Sequence, residues 1–226
     1  MERIILIETS TALCSVALAE DGAIVSYKES SAPKAHASLT AVFIQEMLSE
    51  HGLTIADCDA VCVSMGPGSY TGLRVGVSTA KGLCFGSRKP LLAVGTLNTL
   101  VAQAGSQAED FRYIIPMVDA RRMEVYTAVF ENGVQVTETA PAIIDENSFA
   151  DLLEQGPCLF IGDGAGKCAD VIKHPNASFS QCWPKASSML SPAIAAYKEK
   201  RFEDVAYFEP FYLKEFVATV SKKKLF

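Results

Sequence analysis

The feature that most constrains what this chain can fold into is an order of elements that occurs twice. Near the start, an apolar stretch ends in Glu8, a second apolar stretch follows, and Asp21-Gly22 supplies a tight turn. The same order returns with Asp119 as the acidic residue and Asn132-Gly133 as the turn, at a constant separation of 111 positions. Asp-Gly and Asn-Gly both favour the positive φ angles of hairpin turns. Each half is therefore predicted to begin with a three-stranded meander.

A helical pattern and a glycine turn follow the meander in both halves. The first half has a predicted helix over residues 36–50 and then a strand that ends at Gly66-Pro67-Gly68. The second half has a shorter helical pattern over residues 148–155 and a strand that ends at Gly162-Asp163-Gly164. A β-β-β-α-β-α order that occurs twice predicts two similar α/β lobes that face each other across a cleft.

This duplicated plan is that of the actin, sugar kinase and Hsp70 superfamily. We therefore predict the α/β, actin-like ATPase fold (ASKHA, ribonuclease H-like) with two duplicated lobes. The first lobe is expected over residues 1–106 and the second over residues 107–226.

Composition and charge limit the classes of function. The 226 residues carry a formal net charge of -6, and the cationic run Lys222-Lys223-Lys224 lies at the end of the chain. A negative chain repels a polyanion, so we expect it to contact RNA only indirectly. Seven scattered cysteines are typical of a reducing compartment, and no apolar run reaches the roughly 20 residues of a membrane span. A cytoplasmic protein without a membrane contact is predicted.

The glycine turn of the first half leads into a second predicted helix, over residues 72–85. Ser69 or Thr71 is a suitable N-cap, and the free N–H groups at such a helix start can also face an anion. A tight strand-to-helix connection and an anion site are both compatible with this pattern. The candidate nucleotide-binding residues are Glu8, Gly66, Gly68 and Ser69.

The helix over residues 36–50 has two apolar stripes at about 100° per residue. The first stripe consists of Leu39, Phe43 and Met47, and the second of Ala37, Ala41, Ile44 and Leu48. A helix that rests on one sheet needs one stripe, so the second implies a further packing surface, inside the lobe or on another chain. On the next helix, small residues four positions apart allow close helix approach, namely Gly72, Gly76 and Ala80.

Four segments resemble the TsaB (YeaZ) family. They are residues 7–11 (Ile-Glu-Thr-Ser-Thr), 66–74 (Gly-Pro-Gly-Ser-Tyr-Thr-Gly-Leu-Arg), 118–126 (Val-Asp-Ala-Arg-Arg-Met-Glu-Val-Tyr) and 209–214 (Glu-Pro-Phe-Tyr-Leu-Lys). Together they cover both halves, so the resemblance extends over nearly the whole chain. It implies a non-catalytic scaffold or activator subunit in the formation of N6-threonylcarbamoyladenosine at position 37 of tRNAs that read codons beginning with A.

The resemblance also implies partners. TsaD is expected as the main partner, TsaE as a further member of the complex, and a homodimer as the state of the chain without TsaD. The pairing surface is expected on the two first-lobe helices, over His36, Leu39, Val42, Phe43, Met47, Leu73, Arg74, Gly76, Val77 and Ala80. No cofactor is expected on the isolated chain, whereas ATP and Mg²⁺ are candidates for the assembled complex.

Neither a catalytic residue nor a metal ligand is predicted. TsaD has a His-x-x-x-His metal motif on its first long helix, whereas here His36 is followed four residues later by Thr40. The family often opens with Asp-Thr-Ser, and the longer side chain of Glu8 displaces the carboxylate from where an octahedral Mg²⁺ site would need it. His36 is therefore interpreted as a hydrogen-bonding residue at a helix start.

Alternatives remain for the function and for two motifs. A small-molecule kinase of the same superfamily is the alternative function, although the chain is short and has Glu8 in its first phosphate turn. A metallopeptidase would need the missing ligands. A phosphate loop ending at Lys167 would need glycine where Ile161 stands. For Arg121 and Arg122, a solvated turn and an anion or partner contact are both open.

Overall fold

The computed structural model describes residues 2–213, so Lys214 and the Lys222-Lys223-Lys224 run lie outside the described residues. The described chain forms two mixed β-sheets with helices on both faces. Its helices are α1 (Ala35–Glu50), α2 (Tyr70–Ser87), α3 (Thr96–Ala104), α4 (Ala150–Gln155), α5 (Ala165–Ala169) and α6 (Leu190–Lys198). Its strands are β1 (Arg3–Glu8), β2 (Cys14–Glu20), β3 (Ala23–Ser30), β4 (Ala60–Gly66), β5 (Leu91–Gly95), β6 (Tyr113–Asp119), β7 (Glu124–Thr127), β8 (Phe130–Glu131), β9 (Val134–Gln135), β10 (Ala140–Ile143), β11 (Cys158–Gly162) and β12 (Ala177–Gln181).

The two sheets have the same topology. The first has the order β3-β2-β1-β4-β5, in which β1 is antiparallel to β2 and parallel to β4. The second has the order β10-β7-β6-β11-β12, in which β6 is antiparallel to β7 and parallel to β11. The short strands β8 and β9 pair with each other, and β8 also pairs with β6. The predicted duplication is therefore confirmed.

Both predicted hairpin turns are present. Asp21 and Gly22 have φ angles of 49° and 83°, and Asn132 and Gly133 have φ angles of 51° and 76°. The predicted strand over residues 124–130 is interrupted at Ala128 and Val129, where the N–H of Val129 donates to the Thr137 hydroxyl (2.8 Å). The strand is therefore split into β7 and β8.

Buried apolar side chains line both faces of each sheet. In β1, Ile5 and Ile7 pack in the cluster that contains residues of α1 and α2, whereas Ile4 and Leu6 pack on the opposite face with residues of α6. This separation follows from the two-residue period of a strand, and burial on both faces explains why β1 is a continuous apolar run.

The helices after β5 and after β12 cross between the halves. Leu97 and Leu100 of α3 pack with β6 and β11 of the second sheet. Ala193 and Ala196 of α6 pack with β1 of the first sheet, and Phe208 joins the core beneath α1 and α2. The expected division at residues 106 and 107 therefore separates the two sheets but not the layers packed on them, since α6 and the segment after it lie on the first sheet.

Candidate functional site

Glu8 is a fully buried carboxyl group at the end of β1. Its Oε1 accepts a hydrogen bond from the Ser10 N–H (2.7 Å), and its Oε2 has no hydrogen-bond partner among the described residues. Burial raises the pKa of Glu8 to about 7, against the opposing effect of hydrogen bonds from Ser10. A substantial fraction of the carboxyl groups is therefore protonated at neutral pH.

The loop that follows β1 is pressed against the start of α2. The Ser69 N–H donates to the Ser10 carbonyl oxygen (2.6 Å). A Cβ at Gly68 would lie 2.2 Å from that oxygen, and a Cβ at Gly72 would lie 2.1 Å from the Thr9 carbonyl oxygen. No side chain fits at either distance, so these glycines permit the approach of the chain's own backbone.

This packing changes the interpretation of the four candidate nucleotide-binding residues. Glu8 is buried, Gly68 contacts Ser10, and a Cβ at Gly66 would lie 2.8 Å from the Phe211 carbonyl oxygen. Ser69 is exposed as the N-cap of α2, and its hydroxyl accepts from the Gly72 N–H (3.3 Å). Glu8 is thus enclosed by the chain, whereas Ser69 is exposed and Gly66 lines a cavity at the ends of β4 and β5, so the nucleotide-binding role of these residues stays a prediction.

His36 has the hydrogen-bonding role that the sequence predicted. Its Nε2–H donates to the Thr11 carbonyl oxygen (2.8 Å), and its own carbonyl oxygen accepts from the Thr40 hydroxyl (2.6 Å). Within residues 2–213, no group of three or more His, Cys, Asp or Glu side chains is placed to hold a metal ion. His36 thus ties the start of α1 to the loop after β1.

The predicted interface residues divide into an inward and an outward set. The inward set is buried in the first lobe and consists of Met47, Leu73, Gly76, Val77 and Ala80. His36, Leu39 and Phe43 are half-buried, whereas Val42 and Arg74 are exposed. The inward set supports the two helices from below, so in this conformation a partner can reach only the outward residues and parts of the half-buried ones.

The two-stripe prediction for α1 needs correction. The buried side of α1 consists of Ala35, Thr40, Ile44, Met47 and Leu48, which mixes members of both stripes. Ala37 and Ala41 of the second stripe are exposed, and Phe43 of the first packs at the edge of the core. The helix therefore has one inward face, and its outward apolar surface is made of small residues and Val42.

The glycines of α2 also have two roles. The sequence predicted close helix approach at Gly72 and Gly76, but both lie against Thr9 in the loop after β1. Gly82 and Gly86, which the sequence argument missed, are exposed, and a Cβ at either would have no neighbour within 4 Å. An interior helical glycine such as Gly82 costs about 1 kcal/mol relative to alanine, and no contact at that position within the described chain offsets the cost.

These exposed residues define what we call the outer face, which comprises Ala37, Ala41 and Val42 of α1 and Ser78 and Gly82 of α2. Apart from Val42, the side chains of these residues are small. Beside it lies a groove of about 310 Å³ between the two helices, lined by residues that include Ala41, Leu48 and Leu83. Phe85, with 84% of its surface exposed, follows on α2. The outer face has the small side chains that close packing of another helix requires.

The segment after α6 lies along α2. Lys81 donates to the carbonyl oxygens of Ala206 (3.1 Å) and Phe208 (3.0 Å). The Tyr70 and Tyr212 rings are 5.0 Å apart, and the Arg74 guanidinium lies 4.1 Å from the Tyr70 ring centre and donates to the Tyr212 hydroxyl (3.3 Å). Phe211 also lines a cavity of about 350 Å³ at the ends of β4 and β5. The predicted interface residue Arg74 is thus held by the chain's own C-terminal segment.

In the second lobe, an ion pair and hydrogen bonds hold the connection between β6 and β7 against α5. Lys167 forms an ion pair with Asp119 and donates to the Glu124 carbonyl oxygen (2.7 Å). Asp163 Oδ1 accepts from the Asp119 N–H (2.9 Å), and burial raises the pKa of Asp163 to about 6. Lys167 therefore fastens the β6–β7 connection to α5, which agrees with the rejection of a phosphate loop from spacing.

Two arginines occupy the loop between β6 and β7. Arg121 and Arg122 are exposed and have φ angles of 71° and 48°. For a residue other than glycine, this left-handed region costs roughly 1 kcal/mol or more. The loop therefore carries a conformational cost that its sequence does not relieve.

Stability is expected to fall as the pH rises from about 4.5 to 7. In this window the folded state keeps the Glu8 proton while the unfolded state releases it, so folding binds protons and becomes less favourable with pH. The shift corresponds to a loss of about 3 kcal/mol. Urea unfolding at pH 5, 6, 7 and 8 measures this change, and Glu8→Gln should flatten the profile. Profiles of equal slope in both proteins would contradict the prediction.

The sequence matches a known protein family and a named relative. Residues 28–215 match the family profile described as "TsaD: tRNA N6-adenosine threonylcarbamoyltransferase". The chain is 31% identical over 224 residues to the tRNA threonylcarbamoyladenosine biosynthesis protein TsaB of Escherichia coli strain K12, with 96% of both chains covered.

Solved structures support the same assignment. YeaZ from Pseudomonas aeruginosa superposes with a TM-score of 0.80 at 26% identity, covering 94% of this chain and 100% of that one. The activator of 2-hydroxyisocaproyl-CoA dehydratase from Clostridium difficile, at 11% identity and a TM-score of 0.52, shares the fold over 88% of this chain and 96% of that one. The predicted actin-like fold is thereby confirmed. From its sequence and its fold, the chain belongs to the TsaB (YeaZ) family of TsaD-like proteins.

Proposed function

We propose that this chain is an accessory subunit in the biosynthesis of N6-threonylcarbamoyladenosine at position 37 of tRNAs that read codons beginning with A. The observation that carries the proposal is the similarity over 96% of the chain to a protein named for this biosynthesis. The seven free cysteines fit a reducing compartment, where we place the protein as a cytoplasmic subunit.

The subunit acts by binding TsaD and not by turnover of its own. Its first-lobe turn is filled by the contact between the loop after β1 and α2, and Glu8 beneath it is buried and partly protonated. The longer side chain of Glu8 and its complete burial favour a supporting role over the kinase alternative. ATP and Mg²⁺ are then ligands of the assembled complex.

The outer face is the contact surface for TsaD in this proposal. Gly82 of this face lowers the helix propensity of α2 and has open space above it, which a partner helix can occupy. The same face pairs two copies of the chain when TsaD is absent, and TsaE is a further member of the complex. RNA is held through TsaD, because the net charge of -6 opposes RNA binding by the chain alone.

Mixing the purified chain with TsaD on a sizing column is expected to give a complex of near-equal stoichiometry. We expect this complex because the small residues of the outer face are exposed in the chain alone and can be buried by a second chain. The matched measurement is phosphate transfer from ATP and Mg²⁺ to small alcohols or acids by the isolated chain, which should stay at background. Separate elution, or steady turnover without TsaD, would contradict the proposal.

A further inference from the structure

The loop between β6 and β7 has an unusual sequence for its backbone. The two hairpin turns with consecutive positive φ angles, at Asp21-Gly22 and Asn132-Gly133, have the residue types that this geometry favours. The β6–β7 loop instead has Arg121 followed by Arg122, at φ angles of 71° and 48°. Two of the three turns therefore have residue types that favour positive φ angles, whereas the third has two charged arginines at such angles.

Both guanidinium groups are available to a ligand. Arg121 and Arg122 are exposed, and no ion pair joins either of them to an acidic side chain within residues 2–213. The acidic residues nearest along the chain are Asp119, which pairs with Lys167, and Glu124, which is not ion-paired with either arginine. The turn thus presents two exposed positive charges without an ion-pair partner among residues 2–213, on a chain whose net charge is negative.

The equivalent loop of the first lobe shows that this exposure is specific to the second. After β1, Thr9 and Ser10 are fully buried because α2 covers them. After β6, the helix in the equivalent position is α5, which is only five residues long. The arginine loop therefore stays exposed at the end of the second sheet.

We propose that Arg121 and Arg122 bind the sugar-phosphate backbone of the RNA substrate in the assembled complex. Guanidinium groups present forked N–H donors that match phosphate oxygens. Two such contacts are too few to hold RNA on a negative chain alone, but they add to the contacts of a partner. The inference rests on the proposed function, which supplies the RNA, and places its contact on a different lobe from the TsaD contact.

The test replaces the loop by the residues that the other hairpins use, Arg121→Asn with Arg122→Gly. The isolated variant should melt a few degrees higher, because the new residues accept positive φ angles. Its complex with TsaD should bind unmodified tRNA about tenfold more weakly at 0.15 M salt. The slope of log K against log salt should become shallower by about 1 to 2, as expected for two lost phosphate contacts.

Two controls separate the effect of the arginine charges from the effect of the backbone conformation. Arg121→Lys with Arg122→Lys keeps both charges and should retain most of the tRNA affinity. Lys200→Gly changes another exposed cation with a positive φ angle, 55°, and should raise the melting temperature without affecting tRNA binding. Unchanged tRNA affinity and salt slope in the Asn-Gly variant would overturn the inference. So would a loss of TsaD binding with normal tRNA affinity of the remaining complex, which would assign the loop to an acidic protein surface.

Failure of the proposed function and failure of the RNA contact give different results. If the wild-type chain formed no complex with TsaD, the proposed function would be wrong. If the wild-type complex formed and the Asn-Gly complex bound tRNA equally well, only the role of Arg121 and Arg122 would be wrong.

Discussion

Gly72→Ala is expected to destabilise the chain by about 3 kcal/mol or more. The new Cβ would lie 2.1 Å from the Thr9 carbonyl oxygen, which is backbone and cannot rotate away. Either α2 or the loop after β1 must shift, and that loop directly follows the buried Glu8 and includes the Ser10 carbonyl oxygen that accepts from Ser69. Urea unfolding followed by circular dichroism measures the loss.

Gly82→Ala is the matched control on the same helix. It is also a glycine within α2, but a Cβ there has no neighbour within 4 Å, so the helix propensity of alanine should add about 1 kcal/mol of stability. Opposite signs for the two variants would show that the first glycine serves a contact within the chain and the second does not. Equal effects of both variants would contradict this interpretation.

Val42→Glu is expected to weaken the complex with TsaD by on the order of a hundredfold or more while the chain stays folded. Val42 is 41% exposed on the outer face, so its replacement leaves the core intact. In the complex, the same carboxylate would be enclosed without a partner, which costs several kcal/mol. Sizing-column elution and a binding titration against TsaD measure the effect.

Val25→Glu is the control for this variant. Val25 is also 41% exposed, and it lies in β3 at a point where the ladder with β2 is irregular and no partner is paired with it. It should bind TsaD normally. Phe43→Glu is a weaker test, because Phe43 packs against the first-lobe core and its loss would also destabilise the fold. A normal complex with Val42→Glu would refute the outer face as the contact surface.

Local patterns were sufficient to predict the architecture. The turn residues Asp21-Gly22 and Asn132-Gly133 adopt the positive φ angles that their types favour, and the repeated element order yields two sheets of equal topology. Ser69 caps α2, and His36 donates a hydrogen bond at the start of α1. Each of these features depends on residues close in sequence, for which propensity and spacing are reliable guides.

The candidate site depended on contacts between distant parts of the chain. Gly72 and Gly76 are small because Thr9, far away in sequence, lies against them, and the helix pattern alone suggested a neighbouring helix instead. Met47 and Val77 fit an apolar interface by pattern, yet they are buried in the first lobe's own core. A hydrophobic stripe predicts that one face of a helix is buried, but it does not identify the element or chain that buries it.

The sequence by itself determined the duplicated strands, the turns and the family, because these follow from side-chain period, from φ preferences and from motifs that are local in the chain. Only the tertiary structure decided which glycines serve internal packing, which side of α1 and α2 is open, and that Arg121 and Arg122 stand unpaired by acidic side chains of the described chain in left-handed backbone. The physical reason is that burial and charge compensation are set by groups brought together across the fold, and those groups are far apart along the chain.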